Sequence, residues 1–321
     1  MDQRKEREIK PIINEPTKGE YKTFTDMGYT APPFIDFVCP YVNNNDKVWQ
    51  KTFLDFCMSH RDYKRMADMR NGRYEDIGLI NYQLRLVNKN MPFIRNIYLL
   101  LSNKEQAPKN LPKNVKVVLH KEFIPFKYLP TFNSTTIEMF LWNIPNLGEY
   151  FIYANDDMLP IHSLKVDDFF TLSGRIRIKW KDEVEQRQSE MFKSQCINSY
   201  QHTLYAMGRT PTQELLRPIH SFTPMIKSHC KEVFNLLGET ITKEIRAFRT
   251  SKQHNQYIYP IYEHHKFGTY HSNIKFFYTH LKESEEELKQ HLDNDQIICI
   301  NNIGDNTKVD FIKKELEKLC E

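Results

Sequence analysis

Tyr150-Phe151-Ile152-Tyr153-Ala154-Asn155-Asp156-Asp157-Met158-Leu159 is a short apolar run that breaks into three consecutive polar side chains. The pattern is that of a buried strand over 150–154 opening onto a site. In open α/β sheets ligands sit outside the carboxyl ends of the strands, so adjacent carboxylates there are placed to hold a divalent cation, which in turn holds phosphate oxygens. Asn and Asp also form ordinary turns by bonding their own backbone. On spacing alone Asn155-Asp156-Asp157 reads either way.

Upstream, Thr135-Thr136-Ile137-Glu138 fits a capping box, and Ile137, Leu141 and Ile144 follow at helical spacing, so Glu138 is expected to cap a helix. Asn133 and Ser134 stand just ahead of it. There they either meet an anion at exposed backbone N–H groups or simply start the helix.

Working outward, residues 34–42 (Phe-Ile-Asp-Phe-Val-Cys-Pro-Tyr-Val) read as a first strand and residues 48–58 as a helix. Ile77, Ile80, Leu84 and Val87 form a helical stripe with Arg85 off it, and strands follow at 95–101 and 115–119. Strands separated by helices argue an α/β fold with a largely parallel central sheet flanked by helices, Rossmann-like at its core and with helical additions. Asp36 interrupts the first strand, and a buried carboxylate there needs a ligand or a neighbouring donor.

After the acidic turn, residues 175–181 alternate strictly and place Arg175, Arg177, Lys179 and Lys181 on one face. That face is either a charge-guarded edge strand or a surface for phosphates or an anionic membrane. Residues 183–207, 283–291 and 307–319 read as helices, the last with a capping box Thr307-x-x-Asp310 and an Ile312, Leu316, Leu319 stripe. The chain carries no internal repeat and no Gly-rich phosphate loop.

With 321 residues, 40% of them hydrophobic, the chain can bury a sizeable core. Its net charge of +4 is a balance of many acids and bases, without the basic excess of a dedicated nucleic-acid binder. No nucleic-acid partner is expected. The six cysteines never form a Cys-x-x-Cys pair and suggest a reducing cytoplasm. Residues 1–30 are charged and aperiodic and read as a loosely ordered extension, leaving 31–321 as a single domain. No signal sequence or membrane span is evident, so membrane contact is at most peripheral.

Among the remaining polar residues, His220, in Arg217-Pro218-Ile219-His220-Ser221-Phe222-Thr223-Pro224, is a candidate general base, because a free imidazole titrates near pH ~6.5. Arg249 can clamp a phosphate through its planar fork. His264 and His265 are adjacent and point different ways, which argues against a shared metal.

These residues accumulate into a resemblance. Phe34 to Val42 with Asp46 and Trp49, then Arg73-Tyr74, Leu84-Arg85 and Pro92-Phe93-Ile94-Arg95-Asn96-Ile97-Tyr98, are similar to the opening regions of the Stealth family of sugar-phosphate transferases. The central stretch matches too, in Leu129-Pro130-Thr131-Phe132-Asn133-Ser134, Ile137-Glu138 and Asn155-Asp156-Asp157-Met158. Later come His220 with Pro224, Phe248-Arg249-Thr250 and Cys299-Ile300-Asn301.

The resemblance implies a Stealth-type catalytic domain with a nucleotide-sugar-binding core. It would transfer a hexose 1-phosphate from a UDP-sugar to a hydroxyl of an oligosaccharide or lipid-linked glycan acceptor, releasing UMP, in bacterial capsule or exopolysaccharide synthesis. Such work is expected in the cytoplasm, at the inner face of the plasma membrane. Asp156 and Asp157 would hold Mg²⁺ (or Mn²⁺), with Asn301 and Asn302 as neutral ligands or orienters. Arg249, Arg73 and Arg85 would clamp phosphate oxygens, His220 would take the acceptor proton, and Asp36 and Asn133 would place the nucleotide beside Ser134 and Glu138.

The sequence departs from the family pattern in three places. Asn43 replaces a frequent acid, Asn302 follows Asn301 where Asp is usual, with Asp305 nearby, and Ser102-Asn103 replaces Thr-Asp. The competing expectations are a metal-dependent UDP-sugar glycosyltransferase releasing UDP and an inactive carbohydrate-binding relative.

Overall fold

The computed structural model describes residues 34–62, 74–184, 191–212, 214–301 and 307–321. The expected N-terminal extension over 1–30 lies outside the described residues.

Strand β1 (Ile35–Pro40) is buried over nearly its whole length, as a central strand covered on both faces must be. Asp46 caps the following helix α1 (Lys47–Ser59), its carboxylate accepting from the backbone N–H of Val48 and Trp49. Helix α2 (Leu79–Asn90) leads to β2 (Ile94–Leu101), which is followed by β3 (Val115–Leu119). A short helix, α3 (Ser134–Glu138), precedes β4 (Tyr150–Tyr153). Strands β3, β2, β1 and β4 lie side by side in that order, all parallel. Period-two alternation then builds two cores: Ile35, Phe37 and Cys39 join Ile80 and Leu84 on one face, and Val38, Phe151 and Tyr153 face the other.

Beyond β4 the chain makes the acidic turn and a short strand β5 (Met158–Pro160). Strands β6 (Trp180–Val184) and β7 (Glu214–Pro218) pair antiparallel on either side of helix α4 (Met191–Ala206). Strand β8 (Thr223–Ile226) closes the main sheet antiparallel to β4, and its helix α5 (Lys227–Leu237) packs in the second core with α6 (Ile258–Phe267). The C-terminal part adds β9 (Phe276–Thr279), α7 (Glu285–Asn294), β10 (Ile297–Ile300) and α8 (Val309–Cys320). Strand β10 pairs parallel to β9 and antiparallel to β5. Helix α2 lies between both sheets, sending Ile80 and Leu84 to the first core and Leu79 and Leu86 to a third, shared with Leu159 of β5, Ile298 of β10 and Leu316 of α8.

Two local expectations are corrected. The run 175–181 is not one edge strand, for Arg177 and Ile178 pair with Tyr270 and His271, β6 begins at Trp180, and Arg175 is buried. Helix α8 starts at Val309 with no side-chain cap, so Thr307-x-x-Asp310 is not a capping box. The box in this region belongs to Ser284 and Glu287 at the start of α7. Among the described residues no helix is long and apolar enough to cross a membrane.

Candidate active site

A cleft of about 1230 Å³ opens at the carboxyl ends of β1 and β4. The chain leaves β1 toward β2 and β3 and returns on the opposite side as β4, so the crevice sits where the strand order reverses. Tyr41, which follows β1, and Asn155, Asp156 and Asp157, which follow β4, line its floor.

Tertiary bonds hold the acidic turn. The buried side-chain amide of Gln83, on α2, donates to the carbonyls of Asn155 and Met158, at 2.6 Å each. The backbone N–H of Ile300 donates to the carbonyl of Asp157 at 2.8 Å. Burial pushes the Asp156 carboxyl up to about 8, and the neighbouring charges of Asp157 and Asp76 push the same way. Asp157 is raised by burial too, opposed by His220, the Cys299 thiol and Arg249. Its Oδ1 is buried without a hydrogen-bond partner. Asp76 is held by Tyr41, whose hydroxyl donates to it at 2.5 Å, and by the backbone N–H of Gly78 at 2.7 Å. Three carboxylates thus face one space.

His220 reaches the acidic turn because β8 runs antiparallel to β4, with Thr223 opposite Tyr153. Burial lowers its pKa below 6.5, opposed by Asp157, so the ring is neutral at pH 7 and has a lone pair to accept a proton. Its ring meets Tyr278 edge-on, with centroids 6.0 Å apart.

The opposite wall is built from two loops locked together. Phe132 stacks on Phe248 at 5.4 Å within a cluster that includes Trp49, Phe53 and Tyr74, and the N–H of Phe132 donates to the carbonyl of Ala247 at 2.9 Å. Next to that cluster Arg249 donates to the hydroxyl of Ser134. Glu138 is buried, which raises its pKa, and it accepts from the N–H of Gln256 at 2.9 Å. The Tyr153 hydroxyl lies 3.3 Å from Glu138 Oε1 and 3.0 Å from Asn155 Oδ1, linking this wall to the acidic turn.

The sequence-derived residues therefore divide. Asp156, Asp157, His220, Arg249, Asn133, Ser134, Glu138 and Asn301 all line the cleft. Asn133 is the N-cap of α3, and its amide is fully engaged with Thr135, Thr136, Gln253 and the carbonyl of Arg246. Glu138 caps nothing, because a helix starting at Ser134 puts it in the last turn, where it bonds across to Gln256.

Asp36 and Arg85 are corrections. Asp36 sits at the amino end of β1, away from the cleft, and is taken up by Arg95, Asn96 and Gly148. Arg85 faces outward and pairs with Glu317 at 2.8 Å through both terminal nitrogens. Arg73 and Asn302 lie outside the described residues, as does Asp305.

Sequence reasoning missed Tyr41, Asp76, Gln83, Tyr153 and Gln256 as parts of the site, and it assigned no role to Cys299. Tyr41 and Tyr153 stand in or beside strands the sequence marked, but their hydroxyls gain a role only through Asp76 and Glu138, while Gln83 and Gln256 are tied to the site by residues far away in the chain.

Residues 73–178 match the family model described as Stealth protein CR2, conserved region 2. The chain is 31% identical over 243 residues to a capsular polysaccharide phosphotransferase of Neisseria meningitidis serogroup B, covering 69% of this chain and 60% of that protein. It is 39% identical over 140 residues to a capsular polysaccharide phosphotransferase of Streptococcus thermophilus, covering 42% of this chain and 57% of the relative. The chain thus spans about 60% of the length of the curated relatives it matches. Among solved structures, the galactosyltransferase LgtC in complex with donor and acceptor sugar analogues aligns with a TM-score of 0.38 at 11% identity, over 88% of this chain and 96% of that one.

Proposed function

Because the chain belongs to the Stealth family, we propose that its cleft transfers a hexose 1-phosphate from a UDP-sugar to a hydroxyl of an oligosaccharide or lipid-linked glycan, in capsule or exopolysaccharide synthesis. The observation that carries the reading is the convergence of Asp156 and Asp157 with His220 and Arg249 on one cleft at the carboxyl ends of the strands. The curated relatives named as capsular polysaccharide phosphotransferases support it.

A divalent cation fits the floor of this site. Asp157 Oδ1 is buried and unpartnered, and the Asp156 carboxyl is raised chiefly by burial, with the neighbouring Asp157 and Asp76 carboxylates adding to it, so a cation would relieve the crowding of acids there. Asp156 and Asp157 would hold Mg²⁺ or Mn²⁺, with Asn301 offering a neutral oxygen and Asn302 remaining a candidate on sequence grounds. Bound there, the ion neutralises charge on the donor diphosphate.

The protein's own groups do the rest. The acceptor oxygen forms a bond to the β-phosphorus, the bond from that phosphorus to the bridging oxygen breaks, and UMP leaves with that oxygen while the anomeric C–O bond stays intact. His220 takes the acceptor proton. Arg249, oriented through Ser134, neutralises phosphate oxygens, and Glu138 fixes the wall on which both stand. Phosphoryl transfer depends more on positioning and charge than on covalent help.

The test is phosphorus NMR of the protein with Mg²⁺, UDP-hexoses and an oligosaccharide acceptor. UMP with a new phosphodiester signal is the expected outcome, and UDP release without a phosphodiester overturns the mechanism. His220→Ala should lower turnover by about 10²–10⁴-fold, the usual contribution of a positioned base.

A further inference from the structure

The carboxylate of Asp157, the imidazole of His220 and the thiol of Cys299 place one donor atom each within 4.8 Å of the others. The proposed reaction uses the first two and has no role for the thiol. Each comes from a separate, fixed segment. Cys299 is fully buried on β10 opposite Met158 of β5, Asp157 stands in the turn before β5, and His220 precedes β8.

We propose that Asp157, His220 and Cys299 form a transition-metal site, with Zn²⁺ as the fitting ion, which shares Asp157 with the hard-cation site and blocks the reaction when filled. The blocking half rests on the function proposed above, whereas the binding half stands on geometry alone.

The donor set decides the ion. Thiolate and imidazole select Zn²⁺ over Mg²⁺, which prefers oxygen ligands, and three protein ligands leave a fourth tetrahedral position open. Metal–ligand bonds of about 2.0–2.3 Å put the donors of a tetrahedral site roughly 3.3–3.8 Å apart, so small side-chain rotations close it. The buried, unpartnered Oδ1 of Asp157 is an oxygen that a cation would satisfy.

Binding breaks the Cys299 S–H bond, sends the proton to solvent and forms a Zn–S bond. One thiolate and one carboxylate then cancel the charge of the ion, which suits a buried place. The same event takes the lone pair with which His220 would accept the acceptor proton. It also draws Asp157 away from Asp156.

The experiment is a Co²⁺ titration of the full chain, followed by the thiolate-to-cobalt absorption band, with Zn²⁺ inhibition of Mg²⁺-dependent turnover measured beside it. The band should grow to one equivalent, be displaced by Zn²⁺ and disappear in Cys299→Ala, while the Cys39→Ser control keeps it. His220→Gln, a second variant read without turnover, should weaken Zn²⁺ binding by roughly tenfold or more, since even outer-shell substitutions cost about 10–100-fold. No band in the wild-type protein, or a band that survives Cys299→Ala, overturns the site. A band with inhibition that is unchanged in Cys299→Ala overturns the blocking role. If the protein binds cobalt through Cys299 but turns over no sugar nucleotide, the zinc site stands and the proposed function falls.

Discussion

Arg95 grips the carboxylate of Asp36 side-on, its Nε 3.0 Å from Oδ1 and a terminal nitrogen 2.6 Å from Oδ2. The N–H of Gly148 donates to Oδ2 at 2.7 Å and that of Asn96 to Oδ1, so a fully buried aspartate accepts from three residues on two other chain segments. Asp36 is therefore a fastener of the sheet's amino end. Removing Asp36 strands Arg95 only in part, since that side chain is 35% exposed, so the cost falls below the figure for a fully buried pair, about 3–5 kcal/mol. Asp36→Ala should lower the melting temperature sharply, while calorimetry on the folded protein finds UDP-sugar affinity unchanged. A loss of affinity with unchanged stability would return Asp36 to the site.

Gly148 belongs to the same fastening. A Cβ there would stand 2.9 Å from Asp36 Oδ2 and 3.0 Å from Arg95. Gly148→Ala should push the pair apart and destabilise by about 1–3 kcal/mol, as overpacking does, in denaturant unfolding.

Gln83 holds the acidic turn from outside the lining of the cleft. Gln83→Ala leaves one buried and one part-buried carbonyl without this donor, which costs about 1–3 kcal/mol. The turn then loosens under Asp156 and Asp157. Turnover should fall, and the Mg²⁺ needed for half-maximal rate should rise. A purely structural role would lower stability and leave the Mg²⁺ requirement alone.

If Asp156 ligates the proposed cation, a proton competes with the ion there. Its carboxyl, raised to about 8, is protonated at pH 6 and must lose that proton to ligate an ion. Apparent Mg²⁺ affinity should therefore climb as pH rises from 6 and level off above about 8, by up to about tenfold per unit. Isothermal titration at several pH values reads it. A flat profile would show that Asp156 takes no part in binding the ion.

Acid should unfold this protein through buried imidazoles. Burial holds His254 and His265 down to about 3, and His120 and His264 to about 4, against an ordinary 6.5. Between 6.5 and 4 the unfolded chain binds protons that the native state refuses. These groups thus contribute stability that is full above the ordinary value and is lost as pH falls, at up to about 1.4 kcal/mol per pH unit for each histidine. Melting temperature should drop across this window, and His120→Leu should flatten the drop.

Arg85→Ala tests the opposite expectation. An exposed pair with Glu317 contributes about 0.2–1 kcal/mol, so neither stability nor donor affinity should change much. A strong loss of UDP-sugar binding would restore the phosphate role that the structure removes.

What the sequence by itself determined was local in origin. Period-two runs and helical stripes marked β1, β2, β3, β4 and α2, and the break after Ala154 located the acidic turn at a strand's carboxyl end, because burial patterns are written in neighbouring residues. The tertiary structure decided which polar side chains share a space. Asp36 meets Arg95 across 59 residues, Glu138 meets the N–H of Gln256 across 118, and Asp157 lies beside Cys299 only because β10 pairs with β5. A carboxylate in a strand must find a donor, and folding alone selects which donor it finds.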